Sequence, residues 1–138
     1  MRNLKVFLVE DDEIYSMVLA QKLKLFGNFF ISTFETGESA LENLDVNPDV
    51  ILLDYSLPGI NGFETLKEIK KRNDFSKVIF LSGMEKRDII DACLEEGAYE
   101  FIVKDKDVAT KVYTTIARIM EEDQKKEKKG FFGRLFGR

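Results

Sequence analysis

The chain contains no histidine and no tryptophan, only one cysteine and only two prolines among 138 residues. Each shortage excludes something. Without histidine there is no imidazole for zinc or copper, none for general acid–base catalysis, and none to act as an internal phosphohistidine donor. The single cysteine, Cys93, rules out an intramolecular disulfide, and its neighbours Ile89, Ile90 and Leu94 mark it as a packed helix residue. No apolar run approaches the roughly 20 residues needed to cross a bilayer. The N-terminus, MRNLKVFLVEDDE, turns acidic too soon for a signal-peptide core, so a cytoplasmic protein is expected.

What is present describes one globular domain. Hydrophobic residues make up 44% and charged residues 33%, a balance that supports a core rather than disorder. The net charge of −4 is unevenly spread. Residues 125–138 hold six basic side chains against Glu127, a charge of +5, which leaves −9 on residues 1–124. The chain therefore divides into an acidic body, 1–124, and a basic aromatic tail, 125–138. Such a body repels nucleic acid.

Short apolar runs alternate with segments of helical spacing. LKVFLV (4–9), VILLD (50–54), KVIFL (77–81) and FIV (101–103) read as buried strands, and FFISTF (29–34) as a weaker one. Between and after them, Ile14, Met17, Val18, Gln21 and Leu25 trace a helix ending at Gly27. Ser39 to Leu44 forms a short second. Phe63, Leu66, Ile69 and Lys70 mark a third, Ile89 to Leu94 a fourth ending at Gly97, and Val108, Val112, Ile116 and Ile119 a fifth. Five strand–helix units predict an α/β fold: a doubly wound, open parallel sheet with helices on both faces.

Ligand sites in such sheets lie beyond the carboxyl ends of the strands. Those ends carry Glu10 and Asp11, then Asp54, Ser82 and Lys104. Three carboxylates close together repel one another and call for a divalent cation. An all-oxygen donor set selects a hard ion, and Mg²⁺ suits it because it keeps positions open for phosphate oxygens. A carboxylate beside Mg²⁺, an ammonium and a small hydroxyl is equipped to attack phosphorus, which makes Asp54 a candidate nucleophile. Asp12 is better suited to capping the first helix.

VEDD (9–12), LLDYSLPGING (52–62), FLSG (80–83) and FIVK (101–104), in that order, resemble the receiver domain of bacterial two-component response regulators, of the stand-alone, chemotaxis-regulator-like kind, over about residues 3–122. The resemblance implies a flavodoxin-like sheet in the order 2-1-3-4-5. It implies that Asp54 accepts a phosphoryl group from a histidine kinase or phosphotransfer protein, and that a downstream protein effector reads the result. It further implies that Glu10 and Asp11 bind Mg²⁺ with Asp54, Asp11 directly, and that Ser56 adds its backbone carbonyl. Lys104 would pair with the phosphoryl group, while Ser82 and Phe101 would form the switch. One departure stands out: Asp105 follows Lys104 where the family usually has a proline in a cis bond, so a trans bond is expected here.

A phosphohydrolase working through an aspartyl phosphate is the competing enzyme class, but such enzymes need an acid two residues beyond the nucleophile, where this chain has Ser56. A receiver that only docks, without phosphorylation, is the other alternative; the filled site positions argue against it. The tail, KKEKKGFFGRLFGR, has no counterpart in the resemblance. Phe131, Phe132, Leu135 and Phe136 would share one face of a helix beside Arg134 and Arg138, although three glycines weaken any isolated helix there. This pattern suits a membrane surface, a groove on a protein partner, or a segment folded back on its own domain. No DNA-binding module follows the body.

Overall fold

A computed structural model describes all residues except Met1, Arg2, Asp74 and Arg138. Five strands and five helices alternate: β1 (Leu4–Val9), α1 (Glu13–Phe26), β2 (Phe29–Phe34), α2 (Gly37–Glu42), a 3₁₀ turn (Leu44–Val46), β3 (Val50–Asp54), α3 (Gly62–Arg72), β4 (Lys77–Ser82), α4 (Arg87–Glu95), β5 (Glu100–Val103) and α5 (Val108–Phe136). The strands form one sheet in the order β2-β1-β3-β4-β5, and each neighbouring pair is parallel. This is the doubly wound arrangement expected from the sequence.

The strands are apolar on both sides because both sides are covered. Period-2 alternation sends Val6, Leu8, Leu52, Ile79, Leu81 and Ile102 to one face, where they pack against Leu19 and Leu23 of α1 and Val112, Ile116 and Ile119 of α5. Phe7, Val9, Ile51, Leu53, Val78 and Phe80 face the other way, onto Ala40, Leu41, Leu66, Ile69 and Cys93. Cys93 is fully buried, and burial pushes its thiol up to about 11. The thiol is therefore a packing group at neutral pH.

Helix starts are chemically marked. The Asp12 carboxylate accepts from the Tyr15 N–H at 3.0 Å and caps α1, as expected. Thr36 caps α2, and Asn61 forms a reciprocal capping box with Glu64 at the start of α3. The turn after α4 places Gly97 at a φ of 109°, which only glycine adopts without strain.

Two helix expectations need correction. The apolar residues used to trace α1 do not form its buried side. Ile14, Met17, Val18 and Leu25 are 71%, 54%, 42% and 87% exposed, while Ser16, Leu19 and Leu23 are buried. The α1 sequence is apolar on two stripes, and periodicity cannot choose between them. The second helix begins two residues earlier than expected and ends at Glu42, before its 3₁₀ extension.

Residues 125–136 continue α5 without a break, so the tail prolongs a helix already anchored in the core. That continuity supplies the nucleus an isolated segment would lack.

Candidate functional site

The carboxyl edge of the sheet collects the chemistry. Glu10 and Asp11 follow β1, Asp54 ends β3, Ser82 ends β4 and Lys104 follows β5. The β3–β4 register pairs Asp54 with Leu81, and the Lys104 N–H donates to the Ser82 carbonyl at 2.7 Å, which holds these ends level. Alternation puts Glu10, Asp54 and Lys104 on the α1/α5 face, in phase with Leu8, Leu52 and Ile102. Ser82 and Phe101 are in phase with Phe80, on the opposite face.

Carboxylate oxygens of Glu10, Asp11 and Asp54 lie within 4.8 Å of one another. Glu10 and Asp54 are buried, whereas Asp11 is exposed, so the cluster opens to solvent on one side. Lys104 Nζ donates to Glu10 Oε1 at 2.5 Å and sits 3.3 Å from Asp54 Oδ1. Burial by itself would lower the ammonium pKa, but the Glu10 hydrogen bond and the Asp54 charge outweigh it and hold the pKa above the usual lysine value. The ammonium also lies over the Tyr15 ring, 4.6 Å from its centroid. One cation against three carboxylates leaves two negative charges uncompensated, which is the deficit a divalent cation fills. The donor set is all oxygen, so the residues fit Mg²⁺.

Backbone geometry around Asp54 is tight. The Ser56 N–H donates to Asp54 Oδ1 at 3.3 Å, and the Gly62 N–H donates to the Tyr55 carbonyl at 2.9 Å. A Cβ on Gly62 would lie 2.5 Å from the Asp54 carbonyl oxygen, so glycine is what lets α3 start this close to the site.

Ser82 is buried and its Oγ accepts from the Met84 N–H at 3.2 Å. A Cβ added to Gly83 beside it would meet nothing within 4 Å. Phe101 is half-buried, with its ring 6.1 Å from that of Phe80. The bond between Lys104 and Asp105 is trans, since no cis peptide occurs among the described residues. Asp105 closes the loop differently from a proline. One carboxylate oxygen accepts from the Asp107 N–H at 2.9 Å and the other from Lys111 Nζ, tying the loop to the first turn of α5.

Residues 6–114 match the family described as the response regulator receiver domain. The chain belongs to that family. It is 33% identical over 101 residues to the two-component response regulator ORR3 of Oryza sativa, covering 70% of this chain and 77% of that one. It is 40% identical over 99 residues to a cyclic di-GMP phosphodiesterase of Thermotoga maritima, covering 72% of this chain. Those residues span only 26% of the phosphodiesterase. Among solved structures, the response regulator domain of Thermotoga maritima CheB superposes with a TM-score of 0.78 at 30% identity, covering 87% of this chain and 98% of that one. This receiver fold is that of signalling proteins.

The structure thus brings Glu10, Asp11, Asp54, Ser82 and Lys104 to one edge, with Ser56 adjoining them and Phe101 one strand pairing away. Phe131, Phe132, Leu135 and Phe136 lie far along α5 and take no part. Sequence reasoning missed Tyr15, whose only signal was its place three residues beyond the cap of α1. The exposed apolar side of α1 was also unforeseen.

Proposed function

We propose that this receiver domain is a phospho-switch: Asp54 accepts a phosphoryl group from a histidine kinase or phosphotransfer protein, and the α4–β5–α5 surface reports it to a protein effector. The carrying observation is the meeting of three carboxylates with a paired ammonium at a solvent-open edge. In transfer, an Asp54 carboxylate oxygen forms the new bond to phosphorus as the donor's N–P bond breaks, and the leaving imidazole takes a proton from solvent. Glu10, Asp11, Asp54 and the Ser56 carbonyl would hold Mg²⁺, which when bound neutralises phosphoryl oxygens. Lys104 then moves from Glu10 and Asp54 to the arriving phosphoryl charge. The Ser82 Oγ accepts from the Met84 N–H, which leaves its own proton available to donate to a phosphoryl oxygen.

Two surfaces support the partner roles. The exposed Ile14, Met17 and Val18 of α1 begin beside the acidic edge and form an apolar stripe suited to the helices of a phosphodonor protein. A groove of about 500 Å³ lined by Phe101, Val103, Lys111, Thr115 and Arg118 lies on the β5–α5 side, where movement of Phe101 would change its shape. The phosphohydrolase alternative gains nothing, since Ser56, at the position such an enzyme needs an acid, is exposed and supplies none.

The test is incubation with acetyl phosphate and Mg²⁺, read by intact mass. One phosphoryl group should be added; Asp54→Asn should abolish incorporation because an amide is not a nucleophile. Asp11→Ala should lose both Mg²⁺ binding and transfer. Undiminished incorporation in Asp54→Asn would refute the assignment.

A further inference from the structure

We infer that the distal part of α5, from Lys125 onward, is an in-plane anchor for an anionic phospholipid surface. The last buried residue of α5 is Ile119, and residues 121–137 are all exposed. Beyond the domain, the helix carries Phe131, Phe132, Leu135 and Phe136 at 50%, 54%, 57% and 76% exposure. Their rings pack on one another, Phe131 with Phe132 and Phe132 with Phe136, at 5.8 Å between centroids in each pair. Among the described residues their ring contacts are all with one another.

The direction of this stripe is informative. At 3.6 residues per turn, the four apolar residues lie on the side of α5 opposite Val108, Val112, Ile116 and Ile119, which face the sheet. Gly130, Gly133 and Gly137 instead continue the sheet-facing side. The aromatic stripe therefore does not extend the core contact, and a straight helix cannot fold it back onto the domain. Lys125, Lys128 and Lys129 project on the aromatic side, so cations and rings present to the same plane. Among the described residues, none of Lys125, Lys126, Lys128, Lys129 and Arg134 pairs with a carboxylate.

Charge selects the occupant. The body's −9 would be repelled by anionic lipid, and the geometry relieves that. The sheet and its acidic edge lie on the side of α5 opposite the aromatic stripe, so a lipid plane that meets the rings has the helix between it and most of that charge. α5 also leaves the domain at the far end from the acidic site: Asp123, Lys126 and Glu127 flank Leu4, Asp49 and Lys77, at the strands' N-terminal ends. Aromatics and unpaired cations on one side, with glycines on the other, match an interface that rewards apolar depth and positive charge without demanding specific partners. Among the described residues no helix is long and apolar enough to cross a membrane, and the proposed anchor accordingly lies on the surface.

The experiment uses the full chain and sedimentation with phosphatidylcholine vesicles, with or without phosphatidylglycerol. Binding should require phosphatidylglycerol, weaken with added salt, and fall on the order of tenfold or more in the F131S/F132S/F136S variant. Because the chain has no tryptophan, F132W adds a single reporter whose emission should shift to the blue when vesicles are added. Sedimentation undiminished by the triple change would leave only a basic patch and overturn the proposal. Absence of vesicle binding would overturn it too, in favour of a groove on a protein.

Discussion

Removing the Lys104 charge separates electrostatic support of the acidic edge from metal binding. Glu10 is 2% exposed, and without Lys104 its carboxylate would be buried unpaired beside Asp54 and Asp11. Lys104→Met should cost about 3 kcal/mol in metal-free urea unfolding, the low end for breaking a buried pair from one side. Mg²⁺ should restore part of that loss, because it supplies the missing positive charge and binds only the folded state. The pH dependence follows from the raised lysine pKa. The folded ammonium holds its proton to higher pH than the unfolded one, so its contribution is fully present below the ordinary value of 10.5 and is lost as pH rises through the folded value. Wild type should therefore lose stability above that pH more steeply than Lys104→Met. Tyr15, raised first by burial and lowered by the Lys104 charge, titrates differently in the two proteins, so the comparison is repeated without Mg²⁺ in a Tyr15→Phe background. Identical slopes in the two proteins would show that the ion pair contributes nothing.

Ser82 and Phe101 belong to the face of the sheet opposite Asp54, so a signal from the site must cross between β3, β4 and β5. Beryllofluoride with Mg²⁺ should perturb amide resonances from Met84 through Lys104 more than those of α2, if the relay runs through these strands. Ser82→Ala should still accept a phosphoryl group and lose most of that perturbation; a uniform change across the domain would count against a relay. The strands that frame this path were legible from sequence because a parallel strand covered on both faces is a continuous apolar run, as VILLD and KVIFL are. Their C-terminal residues could be read as a site for the same reason: a carboxylate or ammonium ending an apolar strand has few other uses. α1 was legible only as a helix. Leu19 and Leu23 share their buried side with Ser16, whereas the richer apolar stripe of Ile14, Met17 and Val18 faces solvent. Burial follows the sheet a helix packs on, and spacing within the helix carries no information about that neighbour. The cross-strand ion pairs of Lys104 and the ring of Tyr15 were invisible for a similar reason, since they join residues 50 or more positions apart.

The molecule places its acidic site and its basic aromatic helix end at opposite poles, and the two act through different forces on different partners. Such separation predicts independence. The helix beyond Lys129 buries nothing against the domain, and surface segments away from packing change stability by about 0.5 kcal/mol or less. A chain ending at Lys129 should therefore unfold in urea at nearly the wild-type midpoint while losing some helical signal in circular dichroism. Its incorporation of phosphate from acetyl phosphate should match the full chain, because Lys104 precedes Lys125 by more than twenty positions and every other site residue precedes Lys104. Vesicle-bound full-length protein should accept phosphate as readily as free protein, since the aromatic stripe lies on the side of α5 away from the sheet and at the end opposite the acidic edge. A truncated chain that fails to fold would make the distal helix part of the domain. A phosphorylation rate altered several-fold by truncation or by vesicles would instead mean that the two poles communicate through α5, whose first turn is tied by Lys111 to Asp105 beside the site.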